Sequence, residues 1–210
     1  MSSLRKTRVL AVDPGRPDKK IISAAAKIIR EGGLVAFPTE TVYGLAANCA
    51  DKRAMARLCR VKNRPKGKPF TVHIAARSII KKMRCRVTKS AKALMDRYWP
   101  GPLTLVLASE SGEKIGFRMP DNKVALGLIG SSGVPVVAPS ANLSGSKPPV
   151  SAREVLKELD GKIDMVIDAG RTDVGVESTV VDMTLEPFKV LREGAIKEKA
   201  IRKALGKWAT

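Results

Sequence analysis

Apolar residues recur at helical spacing between residues 18 and 30, at Ile21, Ile22, Ala25, Ile28 and Ile29, which predicts a helix that Gly32-Gly33 stops. A short strand is predicted before it, over 7–12, and an apolar strand after it, over 34–37. Pro38 ends that strand, and a polar loop starts at Thr39. Residues 51–60 read as a helix with Met55, Leu58 and Cys59 on one side, 70–74 as a strand, and 88–99 as a helix that turns Ala91, Leu94, Met95 and Tyr98 inward. Pro100-Gly101-Pro102 breaks the last of these. The run 103–108 is predicted as a central strand, the surroundings of Phe117 and Arg118 as a short strand, and 122–129 as a short helix. Pro135 inside the predicted strand 134–138 argues for a strand start or an edge. Ser151-Ala-Arg-Glu154 has the spacing of a capping box, and strands over 165–168, 179–183 and 189–191 lead to a terminal helix over 196–205. Helices and strands interleave without repeats or a low-complexity break, so the fold class is a single α/β domain with a mixed sheet.

Charge changes this picture most. The 210 residues carry 39 Lys and Arg against 20 Asp and Glu, a net charge of +19. Residues 52–97 hold sixteen of those cations and one acid, Asp96. A basic tract of this density points to polyanions: nucleic acid, nucleotide or anionic lipid. Aromatics are 4% of the chain, which argues against a base-stacking surface, and no stretch approaches the ~20 apolar residues that span a bilayer. Cys49, Cys59 and Cys85 form no Cys-x-x-Cys pair and His73 is the one histidine, which disfavours structural zinc. The N-terminal residues lack the apolar core of a signal peptide, so the expected location is the reduced cytoplasm.

The familiar catalytic signatures are missing. Gly170 and Gly175 have the spacing of a phosphate-binding loop, but Val176 and Glu177 follow where Lys and Ser or Thr are needed. There is no dinucleotide fingerprint and no Gly-x-Ser-x-Gly elbow. Polar clusters instead recur at predicted strand ends. Thr39, Thr41 and Tyr43 follow the second strand; on its own that segment reads as a proline-nucleated turn with Glu40 in solvent. Lys62, Arg64, Lys66 and Lys68 lie in a loop that Pro65, Gly67 and Pro69 pre-organise, suited to gripping phosphate or carboxylate. Ser140, Asn142, Ser144 and Gly145 form either an anion cradle or an Asx turn. Arg118 is a surface charge or a carboxylate clamp, and Glu177-Ser178-Thr179 and Arg192 complete the set. Hydroxyls and cations at the ends of strands suit an enzyme that binds and positions anions rather than one running histidine acid–base chemistry. The rival reading is a non-catalytic module that binds double-stranded RNA or tRNA through the basic tract.

In order along the chain, Pro38-Thr-Glu-Thr-Val-Tyr-Gly-Leu45, Lys62-x-Arg64-Pro, Trp99-Pro-Gly-Pro-Leu-Thr104, Arg118-x-Pro120, Ser140-Ala-Asn142-x-Ser144-Gly145, Glu177-Ser178-Thr179-Val-Val-Asp182 and Arg192-x-Gly194 resemble the YrdC-like family, the threonylcarbamoyl-adenylate synthases of TsaC type. The resemblance runs from about residue 18 to about residue 200. It implies one YrdC-like domain, here 14–204, with a twisted mixed sheet and flanking helices around a basic cavity, and without the further C-terminal domain of longer members. It implies synthesis of threonylcarbamoyl-AMP and pyrophosphate from L-threonine, bicarbonate or CO₂, and ATP. A downstream transferase complex then uses the product to modify tRNA beside the anticodon. It places Thr39, His73, Arg118 and Ser178 around threonine. It places Lys62, Arg64, Lys66, Ser140, Asn142 and Arg192 around the nucleotide, with Lys62 and Arg64 carrying the catalysis. Mg²⁺ is expected mainly through the ATP phosphates, with Ser140 and Asn142 as further contacts. Arg77, Lys81, Lys82, Arg84 and Arg86 lie outside the pocket loop and carry the expectation of RNA binding. A related reading as a carbamoyl-phosphate-using hydrogenase-maturation domain lacks the extra domains and cysteine pairs it needs. The basic loop departs from the family pattern at its end, where Lys68-Pro69-Phe70 stands for Asn-Pro-Leu and adds charge and bulk.

Overall fold

The computed structural model describes residues 6–65, 67 and 69–206. The strands are β1 (Arg8–Ala11), β2 (Val35–Phe37), β3 (Gly44–Asn48), β4 (Thr71–His73), β5 (Leu103–Ala108), β6 (Lys114–Arg118), β7 (Val136–Val137), β8 (Met165–Asp168), β9 (Thr179–Asp182) and β10 (Lys189–Arg192). The helices are α1 (Lys19–Arg30), α2 (Lys52–Val61), α3 (Ser78–Lys82), α4 (Lys89–Tyr98), α5 (Lys123–Ser132), α6 (Ala152–Leu159) and α7 (Glu198–Leu205). The strands form one sheet in the order β1-β8-β2-β3-β7-β4-β6-β5-β9-β10. Pairing is mixed: β8 is parallel to β1 and β2, β4 to β6 and β5 to β9, and the remaining neighbours are antiparallel. The expected fold class is the observed one.

Local sequence explains most boundaries. Asp18, Asp51, Thr88, Asn122 and Ser151 each cap a helix N-terminus with a side-chain oxygen. At the end of α1, the Gly32 N–H donates to Ile29 O and the Gly33 N–H to Ile28 O, and Gly32 has φ +85°. This paired closure relies on a left-handed residue, hence glycine. The capping box opening α6 is shifted: Ser151 Oγ accepts from Glu154 N, but the Glu154 carboxylate reaches back to Val150 N rather than to Ser151 N.

Two elements depart from the sequence reading. β3 was read as part of the polar loop, yet all five of its residues are buried. Its sequence, Gly-Leu-Ala-Ala-Asn, neither alternates nor carries strand-favouring side chains, because both of its faces are covered. α3 is a one-turn helix that the pattern does not announce. Pro135 immediately precedes β7, as the strand-start alternative expects, and the edge alternative falls because β7 is interior, between β3 and β4.

The core has two layers, one on each face of the sheet. Ala36, Leu45, Val137 and Val166 enter one layer with residues of α2, α4, α6 and α7. Val35, Phe37, Ala46, Val136, Met165 and Ile167 enter the other with Ile22, Ala25 and Ile29 of α1 and Val124, Ala125 and Leu128 of α5. Strand alternation carries the second face onward across β4, β6, β5 and β9. There the apolar inward residues are Val72, Phe117, Leu105 and Val181. The opposite side presents Thr71, His73, Gly116, Arg118, Thr104, Val106, Val180 and Asp182, which line a cavity. The site is thus the continuation of the face that α1 and α5 cover elsewhere.

Candidate active site

The cavity encloses about 740 Å³. Thr39, Lys62, Arg64, His73, Arg118, Ser140, Asn142, Ser178 and Arg192 all line it. Nine of the site residues expected from sequence are therefore brought together from seven separate segments. The tenth, Lys66, lies outside the described residues, as does Lys68.

The Thr39–Tyr43 segment leaves β2 as a tight, knitted turn. Thr39 Oγ1 donates to Val42 O at 2.7 Å and accepts from the Thr41 and Val42 N–H groups. The segment is tied on both sides. Ala141 N donates to Tyr43 O, and Val174 N and Gly175 N donate to Glu40 O and Thr41 O. Buried Tyr43 donates its hydroxyl proton to Gly170 O at 2.7 Å, and burial pushes the phenol well above its usual range. Glu40 is not in solvent as the turn reading had it. Its side chain is buried, with Oε1 2.9 Å from Arg118 Nη2. The signal for this lay elsewhere in the chain, since the partner is on β6.

Lys62 closes α2 and is buried. Its Nζ donates to Ser140 O and Asn142 O, each at 2.5 Å. Ser144 N returns a bond to Lys62 O, and Asn142 Nδ2 donates to Ser146 O at 2.6 Å. A lysine ammonium thus organises the Ser140–Ser146 loop. Half-buried Arg64 stacks 4.2 Å over the Phe70 ring and donates to Pro69 O, which aims the planar guanidinium. Burial lowers its pKa.

On the other wall, Arg118 Nη2 donates to Thr41 Oγ1 at 2.7 Å. His73 lies beside it; burial first, and then the Arg118 charge, push the imidazole down to about 3, so it is neutral at physiological pH. Ser178 Oγ is 2.9 Å from Thr104 Oγ1. Arg192 donates through Nε and Nη2 to Ser178 O and pairs with Glu177 at 2.9 Å. The resemblance assigns Ser178 to threonine and Arg192 to the nucleotide; in the fold the two residues are in contact.

Sequence reasoning missed several lining residues. Thr104 and Gly116 sit on the floor, and Lys114 pairs with Asp182 at 3.0 Å at its far side. Alternation along β6 from Arg118 would have found Gly116 and Lys114. Asp182 accepts from Thr184 N and Oγ1, and these bonds together with Lys114 hold its carboxyl below the usual range against the opposing effect of burial.

The residues expected to bind RNA divide. Lys81, Lys82, Arg84 and Arg86 are exposed and outside the cavity lining. Arg77, exposed as well, is a structural clip: it pairs with Asp96 and donates to Met95 O in the last turn of α4 and to the O of its C-cap, Trp99. Spacing along the tract does not reveal that Arg77 is tied to α4.

Among the described residues no group of three His, Cys, Asp or Glu could hold a metal, and no helix is long and apolar enough to cross a membrane.

The Sua5/YciO/YrdC family model, described as telomere recombination, matches residues 27–194. A Pyrococcus abyssi protein named threonylcarbamoyl-AMP synthase is 44% identical over 88% of the chain, and a Bacillus subtilis protein of the same name 42% identical over 88%. The chain spans only 57% and 56% of those two proteins. The structure of P. abyssi Sua5 complexed with L-threonine superposes with a TM-score of 0.90 at 43% identity, covering 95% of this chain and 61% of that one. From these matches, and from the ordered motifs meeting around one cavity, the chain belongs to the Sua5/YciO/YrdC family.

Proposed function

We propose that this protein forms threonylcarbamoyl-AMP from L-threonine, bicarbonate or CO₂, and ATP, releasing pyrophosphate. The observation that carries the reading is the convergence of Lys62, Arg64, Arg118 and Arg192 with the hydroxyls of Thr39, Ser140 and Ser178 in one cavity. The threonine amine adds to CO₂ and loses a proton to give a carbamate. A carbamate oxygen then attacks the α-phosphorus of ATP as the bond to pyrophosphate breaks. Both reactants are anionic, so the barrier is dominated by charge and orientation, which fixed cations and oriented donors lower.

Lys62 and Arg64 meet the phosphates and the developing charge, with the Ser140–Ser146 loop around them and Lys66 as a further cation. Arg118 takes the threonine carboxylate. Neutral His73, Thr39 and Ser178 surround its hydroxyl and methyl, and Arg192 holds the nucleotide. No side chain is assigned a covalent role. Mg²⁺ enters with the nucleotide: the Ser140 and Asn142 carbonyls already hold the Lys62 ammonium, and Glu177 and Asp182 already hold cations. The donor set therefore fits a metal carried by phosphates rather than one caged by protein. When bound, Mg²⁺ would neutralise charge on the leaving pyrophosphate.

Exposed Lys81, Lys82, Arg84 and Arg86 support tRNA contact as a role beside synthesis, before a transferase complex consumes the product in the cytoplasm. The test of the synthase reading is incorporation of labelled bicarbonate into an adenylate. Label that requires both ATP and L-threonine supports it. Label without threonine, or none in folded protein, contradicts it.

A further inference from the structure

Three ion pairs stand along the cavity: Arg192–Glu177, Lys114–Asp182 and Arg118–Glu40. In the first two, the cationic side chain is about half in solvent. The third is enclosed, with Glu40 6% and Arg118 5% exposed. Neither Glu40 carboxylate oxygen accepts an aligned hydrogen bond from a described residue, and Arg118 Nε likewise has no partner among them. A buried carboxylate without such bonds is costly, and its nearness to a guanidinium offsets that only in part. The backbone fixes it there, because Glu40 O accepts from Val174 N at 2.9 Å. Arg118 has an independent tether in Thr41 Oγ1. What Glu40 adds is therefore charge. Arg118 belongs to the cavity lining and Glu40 does not, so the carboxylate lies behind the guanidinium as a ligand meets it.

A lone enclosed guanidinium attracts every anion in this reaction: nucleotide phosphate, pyrophosphate, bicarbonate and simple carboxylates. With Glu40 behind it, the local charge sums to zero. A plain anion then gains little. A zwitterion keeps more, because its carboxylate still meets Arg118 while Glu40 offsets the repulsion between Arg118 and its ammonium. We propose that Glu40 is a specificity-determining residue that, through its ion pair with Arg118, makes the amino-acid end of the cavity select zwitterions over plain anions. The proposal rests on the threonine reading given above. It also keeps the anionic co-substrates out of the subsite that threonine needs.

3-Hydroxybutyrate has the carboxylate, hydroxyl and methyl of threonine but no amine. Its displacement of labelled L-threonine is measured on wild-type protein and on Glu40→Gln and Glu40→Asp. Wild type is expected to prefer threonine by at least about tenfold, the scale of a unit charge at ~6 Å in a partly buried site. In Glu40→Gln that preference falls by about tenfold, mainly through tighter 3-hydroxybutyrate binding, while ATP affinity moves by less than about twofold. Glu40→Asp, which keeps the charge, stays within about threefold of wild type. An unchanged preference in folded Glu40→Gln, or equal binding of both ligands by wild type, overturns the proposal. Should Glu40→Gln not fold, the wild-type preference and the aspartate variant decide it. Wild type that binds ATP but no threonine overturns the threonine reading itself, and the proposal with it.

Discussion

Lys62 Nζ lies 2.5 Å from the backbone oxygen of Asn142, a residue 80 positions further along the chain. The same ammonium holds Ser140 O, so one buried cation ties the end of α2 to the loop after β7. Lys62→Met removes that tie and the charge that the proposed function sets against the phosphates. The expected result is a loss of at least about 100-fold in kcat/KM for ATP, with about 1–3 kcal/mol of stability from the carbonyls left unpaired. Lys62→Arg is not expected to restore activity, because a planar guanidinium cannot take the place of a compact ammonium between two carbonyls. Kinetics and thermal melts on both variants check this.

Gly194 is required by space rather than by φ. A Cβ there would stand 2.2 Å from Glu177 O and 2.7 Å from the Ser178 carbonyl carbon, backbone that cannot swing away. Gly194→Ala therefore pushes the Glu177–Ser178 wall into the cavity. Stability should fall by about 1–3 kcal/mol, and the threonine KM should rise more than the ATP KM. Equal effects on both substrates would place Ser178 away from threonine.

His73 gives a pH signature with a definite sign. Its folded-state pKa is lowered to about 3, against an unfolded value near 6.5. Below the unfolded pKa the unfolded chain binds a proton that the folded chain does not, so stability falls as pH drops from about 6.5 toward 3. Between pH 6.5 and 4.5 the contribution is about 2–3 kcal/mol. His73→Asn should lose that dependence in denaturant titrations at the two pH values. The wild-type pH–activity profile should show no ionisation from this residue between pH 5 and 8.

Arg77 and the neighbouring pair Lys81 and Lys82 should behave in opposite ways. Arg77→Ala leaves Asp96 paired with Lys92 alone and removes a donor from the Met95 and Trp99 carbonyls at the end of α4, so its main effect is a loss of about 1–2 kcal/mol in stability. Lys81→Glu with Lys82→Glu leaves the fold and the synthesis rate unchanged and weakens tRNA binding, with a shallower dependence of binding on salt. A gel-shift series over salt together with thermal melts separates the two. Loss of tRNA affinity in Arg77→Ala without destabilisation would contradict its structural role.

Much of the architecture was legible because its signals are local. Asp18, Asp51 and Ser151 mark helix starts, Gly32-Gly33 closes α1, and the strand segments β5, β8 and β9 stand as apolar runs. β3 was not legible, since a strand buried on both faces and built from glycine and alanine lacks alternation. The site residues were found through ordered motifs, and they do meet in one cavity. Their pairing was not visible. Glu40 meets Arg118, and Lys62 meets Ser140, only because β2, β7 and β6 lie near one another in a sheet order that single segments do not encode. Lys114 and Asp182 went unnoticed for a similar reason: each is a surface-type residue at a strand end until β5 places them side by side.

The most direct measurement is pyrophosphate release by purified protein with ATP, Mg²⁺ and bicarbonate, with and without L-threonine, in wild type and in Arg118→Ala. Synthesis at this cavity predicts release that depends on threonine in wild type and falls by at least about 100-fold in Arg118→Ala at equal threonine. Release that is indifferent to threonine, or equal in the two proteins, would contradict it.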